Sequence, residues 1–171
     1  MRRRFSLIAI AAVLGAAGLL AAWSASGSSS VTLTAKLSAR AERPAPKGAA
    51  SATGAFTATL TGSSLSWRLT FSHLTGKAAA AHIHIGGPGV AGPVAVPLCG
   101  PCASGVHGTV RLSAKIKAAV LGGRAYVNVH TARNAAGEIR GQILGGVGTA
   151  PIRTTTNDTG GGGGGYGGGY G

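Results

Sequence analysis

The sequence predicts an all-β fold, an antiparallel β-sandwich or flattened Greek-key barrel of about eight strands with one short helix. Three observations predict it. Short stretches that alternate apolar and polar residues recur through the middle of the chain, Gly- and Pro-containing turns separate them, and one stretch only has helical spacing. Val31 to Lys36 reads V-T-L-T-A-K, the period of a strand with one buried face. Ala41 to Ala50 interrupts the pattern with Pro44, Pro46 and Gly48. Gly54 to Leu60 then alternates through Phe56, Ala58 and Leu60, and Gly62-Ser63-Ser64 leads into Leu65, Trp67, Leu69 and Phe71, which predicts a hairpin. Further strands are predicted at Ala81 to Ile85, Pro93 to Leu98, Gly108 to Leu112, Ala125 to Thr131 and Glu138 to Ile143. The helix is expected at Lys115 to Leu121, where Ile116 and Val120 are four apart and Gly122-Gly123 supplies a stop.

Both ends differ from this middle. Arg2, Arg3 and Arg4 precede an apolar run from Phe5 to Ala22 and a small polar stretch from Ser24 to Ser30, the order of a secretory signal. Residues 1–25 are therefore expected to be a signal peptide, 26–30 a short linker, 31–145 the β domain, and 146–171 a disordered Thr/Gly/Tyr-rich tail with almost nothing apolar to bury. Arg2 to Leu7 loosely resembles a twin-arginine export signal. The expected destination is secreted, periplasmic or cell-surface, with membrane attachment only through an uncleaved leader.

The 171 residues hold 16 Lys and Arg against three acids, a formal charge of +13 that falls to +10 when the three leader arginines are removed. Such a surplus favours an anionic cell-envelope polymer or an extracellular protein as partner. Nucleic acid is not favoured, because the basic residues are scattered singly and no recognition helix or basic-aromatic stretch accompanies them.

Three strings carry most of the information: Ala81-His82-Ile83-His84-Ile85 with Gly92-Pro93-Val94 after it, Leu121 to Thr131 containing Tyr126-Val127-Asn128-Val129-His130, and Gly137-Glu138-Ile139-Arg140-Gly141-Gln142-Ile143. In this order and spacing they closely resemble the CHRD domain, over about Val31 to Leu144. The resemblance implies an extracellular β domain with a binding or structural role.

Strand alternation puts His82 and His84 on one face of their strand, and Tyr126, Asn128 and His130 on one face of theirs. If the two strands are neighbours, three imidazoles meet on the outer surface, a set suited to copper or zinc. The His-x-His strand with a later strand His is similar to the copper-ligand pattern of Cu/Zn superoxide dismutase β-barrels, which by that resemblance would make His82, His84 and His130 metal ligands. His107 is a candidate fourth nitrogen, and Arg140 a candidate guide for an anion. The sole Asp, Asp158, lies in the tail, so the carboxylate ligand of a paired zinc site is missing. The other reading of the same residues is a hydrogen-bonded His, Asn and Tyr network that ties loops to the sheet.

Glu138 is expected to pair with Arg140, Arg124 or a loop backbone, in a structural role. Cys99-Gly100-Pro101-Cys102 matches the string of a thioredoxin-type dithiol, yet neither a helix nor a βαβ unit follows, so a loop-pinning disulfide is expected. No catalytic Ser/His/Asp set, paired carboxylates or phosphate-binding Gly loop can be assembled, and a non-catalytic protein is the favoured reading.

Overall fold

The computed structural model describes residues 29–145; the predicted leader and tail lie outside them. Nine strands make one sheet: β1 (Ser30–Ser38), β2 (Thr53–Thr61), β3 (Ser64–Ser72), β4 (Ala78–Ile85), β5 (Val94–Cys99), β6 (His107–Arg111), β7 (Ala125–Thr131), β8 (Ile139–Gln142) and the two-residue β9 (Leu144–Gly145). Among the described residues one α-helix, α1 (Ala114–Leu121), starts at Ser113, whose hydroxyl accepts the Ile116 N–H, and stops at Gly122. The order across the sheet is β5-β4-β7-β8-β1-β2-β3-β6, with β9 beside β1, and every pairing is antiparallel.

The sheet curls around one core because the alternation holds along nearly every strand. Leu33, Ala35 and Leu37 of β1, Phe56 and Leu60 of β2, Leu65 and Leu69 of β3, Ile83 of β4, Val127 and Val129 of β7 and Ile139 of β8 belong to a single buried cluster. The fold expected from the sequence is the fold observed. The β2–β3 hairpin keeps the predicted face, with Phe56 opposite Leu69 and Ala58 opposite Trp67.

Two differences have simple causes. The expected strand from Glu138 to Ile143 is observed as the shorter β8, paired with β7 and, at Arg140, with Ser38 of β1, and a two-residue strand beyond it, β9, continues beside β1. β4 begins earlier than expected, at Ala78, since small residues that look helical fit a strand edge once β7 supplies the partner. Cys99 and Cys102 form a disulfide at the end of β5, as expected.

The two halves of the sheet differ in how their outer faces are treated. On β1, β2 and β3 the outward residues are mostly exposed, whereas on β7 and β8 nearly every residue is buried, inward and outward alike. A second, polar layer therefore lies over β7 and β8, beneath loops.

Candidate metal centre

That polar layer is laid out by strand register. β4 and β7 are adjacent, with His82 opposite Asn128 and His84 opposite Tyr126, and β7 continues to β8 with Asn128 opposite Arg140 and Tyr126 opposite Gln142. His130 sits one outward position beyond Asn128, across from Ala80. The inward residues Ile83, Val127 and Val129 are fully buried, so the fold turns these outward side chains toward one another. The β4–β5 pairing slips between Ala81 and His82 and again between Ile83 and His84, irregularities of the kind that re-aim side chains beside functional sites.

His82, His84 and His130 converge, each offering one ring nitrogen within 4.8 Å of the other two. His82 Nδ1 lies 3.1 Å from His130 Nε2. Two nitrogens each roughly 2.0–2.1 Å from one ion stand about 2.9–3.4 Å apart at square-planar to tetrahedral angles, so this spacing fits both a shared proton and a shared metal. His84 Nδ1 is 2.9 Å from the Gly92 carbonyl oxygen and His130 Nδ1 is 3.0 Å from that of Ala135. Each ring therefore donates Nδ1–H to the backbone and leaves a lone pair on Nε2, the arrangement by which outer hydrogen bonds fix metal-binding imidazoles. His84 Nε2 is buried and has no hydrogen-bond partner. Burial lowers the pKa of His82 and His84, and the neighbouring imidazoles add to the shift, so both rings are held neutral and ligand-ready.

Tyr126 supports the cluster from below. Its ring stacks on His84 at 4.9 Å between centroids, the Arg140 guanidinium lies 3.4 Å above the Tyr126 centroid, and the Tyr126 hydroxyl accepts the Gly92 N–H at 3.0 Å. Gly92 thus touches both His84 and Tyr126, and a Cβ there would land on the Ile85 carbonyl. Gly92→Ala is expected to destabilise the domain by roughly 2–3 kcal/mol through overpacking, read as a lower urea midpoint; an unchanged midpoint would show that the loop simply moves aside.

The remaining predicted residues are placed as follows. His107 stands outside the imidazole cluster: it is exposed at the start of β6, opposite Arg68 of β3, with β6 and β4 toward opposite ends of the strand order. Periodicity cannot reveal this, because strand order is a tertiary property. Arg140 does not present its charge to solvent as an anion guide would. It is only 2 % exposed and donates to the Gly87 carbonyl at 2.8 Å. Glu138 bonds the loop rather than a base, accepting from the Thr75 N–H at 2.5 Å, the Thr75 hydroxyl at 2.6 Å, the Thr131 hydroxyl at 2.5 Å and the Asn134 amide at 3.0 Å.

Glu42 is the residue that sequence reasoning passed over. It follows the 3-10 turn Ala39–Ala41, is 1 % exposed, and accepts the Arg43 N–H at 2.8 Å. Burial raises its pKa, against the opposing pull of the Arg43 amide, Arg140 and Asn128. Gly137, at φ 139°, leaves room for Glu42 and Asn128, both of which a Cβ there would strike. The available signal was a lone acid in a Pro-rich segment of a very basic chain. Neither Glu42 nor Glu138 joins the imidazole cluster.

No curated protein and no solved structure matches this chain. The CHRD domain family matches residues 33–143, which takes in β1 from Leu33 on, the His-x-His strand β4, the Tyr126 to His130 strand β7 and Arg140 of β8. That span covers most of the chain and all of the polar layer on β4, β7 and β8, and the protein belongs to the CHRD domain family.

Proposed function

We propose that this CHRD protein works in the extracellular or cell-envelope space as a non-catalytic binding module, and that its ligand is a copper or zinc ion held by His82, His84 and His130. One observation carries the metal reading: the three rings each offer one nitrogen within 4.8 Å of the others, the Nδ1 atoms of His84 and His130 are fixed by backbone carbonyls, and the buried Nε2 of His84 has no hydrogen-bond partner. An all-imidazole set suits borderline ions, and the order of affinities places Cu(II) above Zn(II). The exported setting rests on the family, on the disulfide and on the leader-like order of the first residues. Among the described residues the cluster has no carboxylate ligand, so a paired, dismutase-like metal site is not part of the proposal.

Calorimetric titration of the purified protein with Cu(II) and with Zn(II) tests it. One equivalent of at least one ion is expected to bind, and the triple His82→Ala, His84→Ala, His130→Ala variant is expected to bind none at this site. Equal uptake, or equal absence of uptake, in both proteins would remove the metal. The second reading would then stand, in which the imidazoles fasten loops: His84 ties down Gly92, His130 ties down Ala135, and His82 bonds His130.

A further inference from the structure

The acids of the described residues are Glu42 and Glu138, and both are buried, at 1 % and 0 % exposure. Among Lys and Arg of the same residues only Arg140 is buried. The solvent surface of the domain is therefore positive without an interspersed carboxylate, which is unusual for a soluble surface of mixed charges. A basic composition alone would leave this open, since two exposed acids could have divided the field.

Part of that surface has a regular form. Strand register aligns the outward residues of β1, β2, β3 and β6 in rows: Thr34 opposite Thr57, and Thr57 opposite Arg68; one row on, Thr59 opposite Ser66, and Ser66 opposite Thr109. Lys36 and Arg111 stand on the same face, each exposed. The aromatic residues of β2 and β3 point inward: Phe56 and Trp67 are buried and Phe71 packs against the core. The face thus offers hydroxyls, cations and one imidazole, that of the exposed His107 opposite Arg68, but no Phe, Tyr or Trp ring for stacking a base or a sugar. Counting strand spacings and residue rises, Lys36 lies roughly 12 Å from Arg68, and Arg68 roughly 14 Å from Arg111, between Cα atoms. Those separations exceed the screening length of about 8 Å at physiological salt, so a small anion would meet one cation at a time. A chain that repeats its charge would meet all three, and its hydroxyls would find partners in the threonines between them.

We propose that the outer face of β1, β2, β3 and β6 binds a linear polyanionic glycan, a sugar chain bearing carboxylate or phosphate groups. The surface is separate from the imidazole cluster, which lies on β4 and β7 beyond β8 in the strand order. Charge complementarity and the array of hydroxyls favour this partner, and the inward aromatics disfavour a nucleic acid.

The test is binding of the full chain to immobilised polygalacturonate over a range of salt, with dextran as the uncharged control and single-stranded oligo(dT) as the competing polyanion. The variant Lys36→Gln, Arg68→Gln, Arg111→Gln is expected to bind polygalacturonate on the order of tenfold more weakly, with a shallower salt dependence. A control that removes the same charge elsewhere, Lys77→Gln, Lys115→Gln, Arg133→Gln, is expected to change affinity less than about twofold. Circular dichroism checks that both fold; if the first does not, Arg68→Gln alone, expected to weaken binding about twofold to threefold, decides the matter. Equal loss in both triple variants would mean diffuse charge and overturn the assignment of a face. No binding to polygalacturonate, equal binding to dextran, or tighter binding to oligo(dT) through the same residues would overturn the glycan.

Discussion

Replacing Glu138 with alanine is expected to cost the domain roughly 3–5 kcal/mol, because several hydrogen bonds to one charged acceptor are lost together. Glu138 is fully buried and four donors from Thr75, Thr131 and Asn134 end on its two oxygens. Alanine removes that acceptor from all four, two of them from buried Thr131 and Asn134 and two from half-buried Thr75. Glu138→Gln keeps the shape and one acceptor oxygen but turns an NH2 toward donors, so a smaller loss of about 2 kcal/mol is expected. The two buried carboxyls, Glu138 and Glu42, separate by pH. Burial opposes ionisation of Glu138, yet the hydrogen bonds from Thr131, Thr75 and Asn134 outweigh it and set its pKa below the usual 4.5. Its contribution is therefore complete above that value and is lost as the pH falls through the lower, folded value. Glu42 has the opposite sign: burial raises its pKa, so its contribution is fullest below 4.5 and is lost as the pH rises through the folded value. Urea midpoints against pH should lose part of their acid-side fall in Glu138→Gln and part of their decline toward neutrality in Glu42→Gln. Parallel curves for wild type and both variants would show that neither carboxyl is coupled to folding.

Arg140→Ala is the other change expected to be severe, again roughly 3–5 kcal/mol, because a large buried side chain and a buried charge are removed together. Arg140 covers the Tyr126 ring, stands opposite Asn128 in the register, bonds the Gly87 carbonyl and helps hold down the pKa of Glu42. Its loss leaves a cavity, a Gly87 carbonyl with the Val90 N–H as its remaining donor, and a carboxyl with less reason to ionise. Lysine is not a substitute, since an ammonium lacks the planar fork that lies over the ring and reaches Gly87. Arg140→Met retains volume and isolates the charge: combined with Glu42→Gln it should recover about 1–2 kcal/mol relative to the sum of the single changes. Strict additivity in that double-mutant cycle, measured by urea unfolding, would mean that Glu42 and Arg140 do not communicate. Since Arg140 supports Tyr126, and Tyr126 stacks on His84, metal affinity should also fall in Arg140→Met, provided the imidazole site binds an ion.

The strand content and inward faces of this protein were legible in its sequence because burial on one side of a strand forces a period of two, and Val31 to Lys36, Gly54 to Leu60 and Leu65 to Leu69 all obey it. The same rule put His82 with His84, and Asn128 with His130, and the proximity of two cysteines three apart made the disulfide local. Strand order, by contrast, is fixed only when the whole core closes. It brings β4 beside β7, so that three imidazoles meet, and sends β6 to the opposite edge, so that His107 does not. The fates of the charged residues were likewise tertiary. Glu42, Glu138 and Arg140 look like surface residues in the chain, and only loops folded back over the outer side of β7 and β8 bury them, because a buried charge needs partners that no single segment supplies.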